Sequence, residues 1–150
     1  MTCLRAIGYW RERGRELTDD AWRADPKVIL AAIGPSSPAP FLLSYLREGH
    51  EFEVWRGWSW CRLECDAPGE VMGHSDLTDG KWIWPQGLVH YIEAHALALP
   101  DEFVADARRC GGKVPPLPRA LEVTPHQLKR ATVDPTFWND WFVRIAARAR

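Results

Sequence analysis

Two cysteines and two histidines are the residues of this 150-residue chain best suited to chemistry. Cys61 and Cys65 lie in GWSWCRLEC, and His90 and His95 follow in GLVHYIEAH. Thiolate sulfur and imidazole nitrogen are ligands that zinc favours, and two of each complete a tetrahedron. Spacing works against the pair. In a strand the two cysteines stand about 13 Å apart, and both reach one ion only if Arg62-Leu63-Glu64 forms a turn. His90 and His95 are separated by roughly 140° around an ideal helix and diverge unless the helix loosens there. His74 could replace either. The competing expectation is two small thiols buried on the inner face of a strand.

Catalytic constellations are weaker. His90 with Glu93, or Cys61 with a histidine, could form a dyad. Asp76 and Asp79 could pair as carboxylates, although Asp79 is already explained by a turn. No geometry is fixed by these spacings, so enzymatic activity stays open with non-enzyme the favoured reading, and no catalytic residue is assigned.

A third set of residues could bind a protein. Residues 48–106 carry twelve acidic and three basic groups, a net charge of −9, while the segments before and after carry +2 and +6. The whole chain nets −1, so the segments can also neutralise one another within the fold. Trp58 and Trp60 alternate with Cys61, Leu63 and Cys65 and so fall on the opposite face of a strand. With Glu64, Asp66, Glu70 and Asp76 they would form an acidic, tryptophan-bearing face for a basic partner. Tryptophans supply interface hot spots and acids steer association. The alternative is that all the tryptophans are core. Nucleic-acid binding through Lys129, Arg130, Arg144, Arg148 and Arg150 is the remaining expectation. The last helix is too aromatic for a DNA groove, which makes nucleic acid the lesser partner.

These residues need elements to position them. Asp25-Pro26 starts a short helix that Gly34-Pro35 ends, and Phe41, Leu42, Tyr45 and Leu46 make a second, so residues 1–50 read as helical. Alternation places strands at 51–56, 58–65 and 70–74. Asp79-Gly80 makes a hairpin turn into Lys81–Trp84. Helices follow from Pro85 to about Leu97 and from Pro100 to Cys110. Residues 113–123 form a proline-rich extended connector. Thr124-Pro125 and Asp134-Pro135 start two final helices. The expected fold is α+β in a single domain, 1–150: a small antiparallel sheet (about 51–84) flanked by helices.

An apolar fraction of 46% with 26% charged residues is a globular composition, and no run of about 18 apolar residues suggests a membrane span. The first twenty residues lack the apolar segment of a secretory signal. A cytoplasmic setting is therefore expected, in which Cys3, Cys61, Cys65 and Cys110 stay as thiols.

The strings GWSWCRLEC, SDLTDGKWIWPQGLVHYIEAH and LPDEFV cover about a third of the chain. Together they resemble a pattern of small uncharacterised bacterial proteins, roughly TDGxWxWPxGLxHY at its centre. Here it spans Gly57, Ser59, Cys61, Arg62, Thr78, Asp79, Gly80, Trp82, Trp84, Pro85, Gly87, Leu88, His90, Tyr91, His95, Leu99, Pro100, Glu102 and Phe103. Some proteins of this look resemble immunity partners of secreted toxins. The resemblance implies an immunity protein for a bacterial toxin and carries over no active site; joined to the acidic, tryptophan-bearing face, it gives the expectation of a protein-binding module that neutralises a basic toxin by occlusion. The three-residue gap between Cys61 and Cys65 departs from the two-residue gap of tight zinc knuckles. A zinc-binding module or small metalloenzyme is the alternative function.

Overall fold

The computed structural model describes residues 2–14, 16, 18, 21–121 and 131–148. Along the chain run β1 (Thr2–Ala6), α1 (Pro26–Ile33), α2 (Pro40–Arg47), β2 (His50–Val54), α3 (Gly69–Met72), β3 (Ser75–Thr78), β4 (Trp82–Pro85), α4 (Leu88–His95), α5 (Asp101–Arg109), β5 (Ala131–Asp134) and α6 (Thr136–Arg148). A 3-10 turn at Arg119–Leu121 interrupts the proline-rich connector. The class is α+β, as expected. The sheet is larger than expected and mixed, in the order β2-β3-β4-β1-β5.

Two corrections explain that difference. Residues 1–50 are not all helical, because Thr2–Ala6 is a strand between β4 and β5, parallel to both. Its strand state depends on partners about 80 and 130 residues away, which local periodicity cannot reveal. Thr132-Val133 is likewise not a helix–helix connection but part of edge strand β5. That removes the helix-turn-helix arrangement behind the nucleic-acid reading. Thr124-Pro125, Lys129, Arg130 and Arg150 lie outside the described residues.

Two further corrections fall between β2 and β3. Glu70–His74 is not a strand, since Gly69–Met72 makes one helical turn ended by Gly73. Nor is Trp58–Cys65, which belongs to an irregular segment running from Trp55 to Pro68. Alternation there does not produce a strand because the face of Trp58 and Trp60 runs on into Arg62 and Glu64, which cannot be buried in a sheet interior.

The hairpin is where it was expected. Asp79 Oδ1 accepts from the Lys81 and Trp82 amides at 2.9 and 2.7 Å, and Gly80 takes φ +95°. Tyr45 donates to the other oxygen of Asp79 at 2.6 Å. Asp79 is thus committed to the turn. Register then sorts the faces. Arg5 lies beside Trp82, and Ala6 beside Ile83. Trp82 and Trp84 point to the helices and meet Phe103 edge-on at 5.5 and 5.6 Å. Leu4, Ala6 and Ile83 face the other side, with Leu121 and Ala131. Among the described residues no helix is long and apolar enough to cross a membrane.

Helix starts follow from local chemistry. Asp25 accepts from the Lys27 amide at 2.8 Å, with Pro26 in the first turn of α1. Asp134 accepts from the Thr136 amide at 2.9 Å, which starts α6. Side-chain oxygens here satisfy amides that have no partner within the helix. Helix α4 begins three residues later than Pro85 alone suggests, because Pro85 completes β4.

Candidate metal centre

The 55–68 segment contacts α4 through Cys61, Arg62 and Cys65 and turns there. Arg62-Leu63 forms the turn, and Glu64 holds a left-handed backbone, φ 56°. This is the turn that the two cysteines need in order to face one point. It is fixed from inside and outside. The Arg62 amide donates to the Tyr91 hydroxyl of α4 at 2.8 Å. The Glu64 carboxylate accepts from Lys27 of α1 at 2.8 Å, and that hydrogen bond and charge hold it below the usual carboxylate range.

Helix α4 loosens where the histidine pair needs it to. The Ala96 amide bonds back five residues, to Tyr91 O, and Ala96 takes φ 54°. The Leu97 amide also reaches Tyr91 O, at 3.1 Å. A π-type turn advances fewer degrees per residue than an α-turn, so His95 rotates back toward the side of His90. The two rings sit 5.0 Å apart, centroid to centroid, and nearly perpendicular.

Four donor atoms converge as a result. Cys61 Sγ lies 3.5 Å from His95 Nε2, and Cys65 Sγ lies 3.2 Å from His90 Nε2. One ligand atom from each of the four residues falls within 4.8 Å of the others. In a tetrahedron with sulfur at about 2.3 Å and nitrogen at about 2.0 Å from zinc, neighbouring ligands lie roughly 3.3–3.8 Å apart. The two sulfur–nitrogen separations are therefore already close to the spacing of a filled site. Cys61 is buried and the other three are half-buried.

The surrounding groups suit a cation. Amides of Leu63 and Ala67 each donate to a cysteine sulfur, at 3.4 Å. Such donors stabilise sulfur that carries negative charge. Burial pushes the Cys61 thiol up, opposed by the Leu63 amide, and Cys65 adds to the rise. Burial and the neighbouring His95 push His90 down, against the pull of Glu93. A neutral His90 is the form that binds metal, and a bound divalent ion deprotonates a coordinating thiol outright. All four cysteines are free in the structure, so Cys61 and Cys65 are not bridged.

The residues expected on a partner face are placed differently from one another. Trp58 and Trp60 are exposed, each at 55%. Glu64, Asp66 and Glu70 are exposed, whereas Asp76 is buried. His74 packs against Trp58 at 4.9 Å and does not join the four-residue cluster. Tyr91, which the sequence marks only as one residue of the resemblance pattern, is a positioning residue here. Burial pushes its phenol up to about 12, so it stays protonated while accepting from Arg62. No feature of its sequence neighbourhood signals that contact.

Comparison with known proteins adds no relative: no family model, no curated protein and no solved structure gives a significant match to this chain.

Proposed function

We propose that this chain is a zinc-anchored binding module. Cys61, Cys65, His90 and His95 would hold one structural zinc ion and so fasten the tryptophan-bearing 55–68 segment to α4. The carrying observation is the convergence of four donor atoms within 4.8 Å, from two elements that each depart from regular geometry to bring them there. Four protein ligands leave no open position for water or substrate, which suits a structural ion rather than a catalytic one. The segment it fastens has almost no backbone ladder of its own. Its backbone anchors include Trp55 N to His74 O at 2.7 Å and Ser59 N to Gly73 O at 2.9 Å.

Metal analysis of untagged protein tests this reading. About one zinc per chain, surviving gel filtration, is expected for a structural site. Less than about a tenth of a zinc per chain overturns it, because the four residues are then only two thiol–imidazole hydrogen-bonded pairs.

A second reading concerns what the module binds. Exposure of Trp58 and Trp60 beside Asp66 and Glu70 favours a basic protein partner, of the kind a toxin-immunity role supplies. Two features narrow the acidic face: Glu64 pairs with Lys27, and Asp76 is buried. Reversing Asp66 and Glu70 to lysine should weaken binding of a basic product of the adjacent gene by at least about tenfold at low salt, with a smaller effect at high salt. Unchanged affinity and salt dependence remove the electrostatic part of this reading.

A further inference from the structure

The zinc-type cluster holds its two sulfurs close together on one loop. Cys61 and Cys65 are four residues apart, and their Sγ atoms lie within 4.8 Å of each other. A disulfide needs about 2.05 Å, so an approach of under about 3 Å joins them. The chain that must move is irregular, between β2 and α3. Its backbone bonds from Trp55 and Ser59 fall ahead of Cys61, outside the loop that closes. Access differs between the two sulfurs. Cys61 is 5% exposed, whereas Cys65 is half-buried and meets solvent. A small oxidant therefore reaches Cys65 first, with Cys61 behind it as the second sulfur. The Ala67 amide, 3.4 Å from the Cys65 sulfur, favours negative charge there. Cys3 and Cys110 are exposed, but neither belongs to the cluster.

The two states of this pair make different connections. Zinc held by all four residues links the loop to α4, because His90 and His95 belong to that helix. A Cys61–Cys65 disulfide closes a ring within the loop and links it to nothing else. Its sulfurs offer no thiolate to a metal, and His90 and His95 alone are too few to retain a structural ion. Oxidation and metal binding therefore exclude each other. One peroxide balances the chemistry. The Cys65 thiolate attacks a peroxide oxygen, the O–O bond breaks, and hydroxide leaves and takes a proton to become water. The Cys61 thiolate then attacks the sulfenic sulfur, the S–O bond breaks, and a second hydroxide leaves and is protonated. Two electrons pass from the sulfurs to the peroxide, which ends as two waters, and the zinc ion is released unchanged in oxidation state.

We propose that Cys61 and Cys65 form a peroxide-sensitive modification site, at which disulfide formation expels zinc and unfastens residues 61–67 from α4. The proposal rests on the zinc reading. The experiment treats the whole untagged chain, assayed for zinc beforehand, with about ten equivalents of hydrogen peroxide and follows zinc release with a metallochromic dye. Trypsin cuts after Arg56, Arg62 and Lys81, so the disulfide appears as peptides 57–62 and 63–81 joined, and separable by a thiol reductant. About one zinc per chain should be released in step with the joined peptides, and reductant with added zinc should restore the loaded form. A chain carrying Cys3→Ser and Cys110→Ser, which keeps the cluster, should behave the same way. Hydrogen exchange in the oxidised form should speed up at least about fivefold in 61–67 and stay unchanged in β3 and β4. A zinc-loaded chain that keeps its ion, or loses it without joining those peptides, overturns this proposal and leaves the zinc reading standing. A chain that carries no zinc on purification overturns both.

Discussion

Trp58-Ser59-Trp60 and Trp82-Ile83-Trp84 share one pattern and meet opposite fates. The second pair is fully buried in a central strand, and the first is more than half exposed in an irregular segment. The residue between the tryptophans separates them. Ile83 gives β4 a second apolar face, packed with Leu4 and Ala6, so the strand can lie between two layers. Ser59 is polar, and the face of Trp58 and Trp60 runs on into the charged Arg62 and Glu64. The approach to each pair also differs. Asp79 and Gly80 close a turn whose amides are satisfied within it, whereas the 55–68 segment is held by backbone bonds from Trp55 and Ser59 and, beyond them, by distant side chains. Alternating tryptophans therefore specify a strand only where both faces have something to bury against.

The largest way to break this contrast is Trp84→Ala. It removes a ring packed on Phe103 and Tyr45, and a hydrogen bond from Nε1 to Leu46 O at 3.1 Å. A loss of about 3–5 kcal/mol is expected, seen as a fall in Tm of about 10 °C. Trp60→Ala in the exposed pair should stay within about 0.5 kcal/mol by denaturant unfolding. Equal losses at the two sites would erase the distinction.

Next comes Cys61→Ser with Cys65→Ser, or chelation of the wild type. Either should lower Tm by about 10 °C, the amount that tight binding to the folded state alone confers. Hydrogen exchange should speed up in 55–68 and leave β3 and β4 protected, because the core beneath the hairpin does not depend on the ion. Uniform loss of protection would contradict that division.

Tyr91→Phe is smaller. It removes the acceptor of the Arg62 amide, and about 1 kcal/mol is expected by denaturant unfolding, with weaker zinc retention in competition with a chelator. Smallest is Lys27→Met, which breaks an exposed pair with Glu64. No measurable change in Tm is expected, since exposed ion pairs are screened and flexible.

The same contrast explains what the sequence discloses. The hairpin, the Asp25-Pro26 and Asp134-Pro135 helix starts and the zinc-type donor set are all local signals, and all are visible in the chain. Strand β1 is not, because TCLRA becomes a strand only between β4 and β5. Convergence of the four donors is not visible either. It rests on a left-handed Glu64 and a five-residue hydrogen bond at Ala96, neither of which glycine or asparagine announces. Ideal strand and helix geometry places these ligands apart, and both elements depart from the ideal at the position that matters.

X-ray absorption at the zinc edge of the purified protein tests the central claim most directly. A shell of about two sulfurs near 2.3 Å and two nitrogens near 2.0 Å is expected, and it should disappear in the double serine variant. A shell of oxygen and nitrogen without sulfur, or no bound zinc at all, would contradict the account.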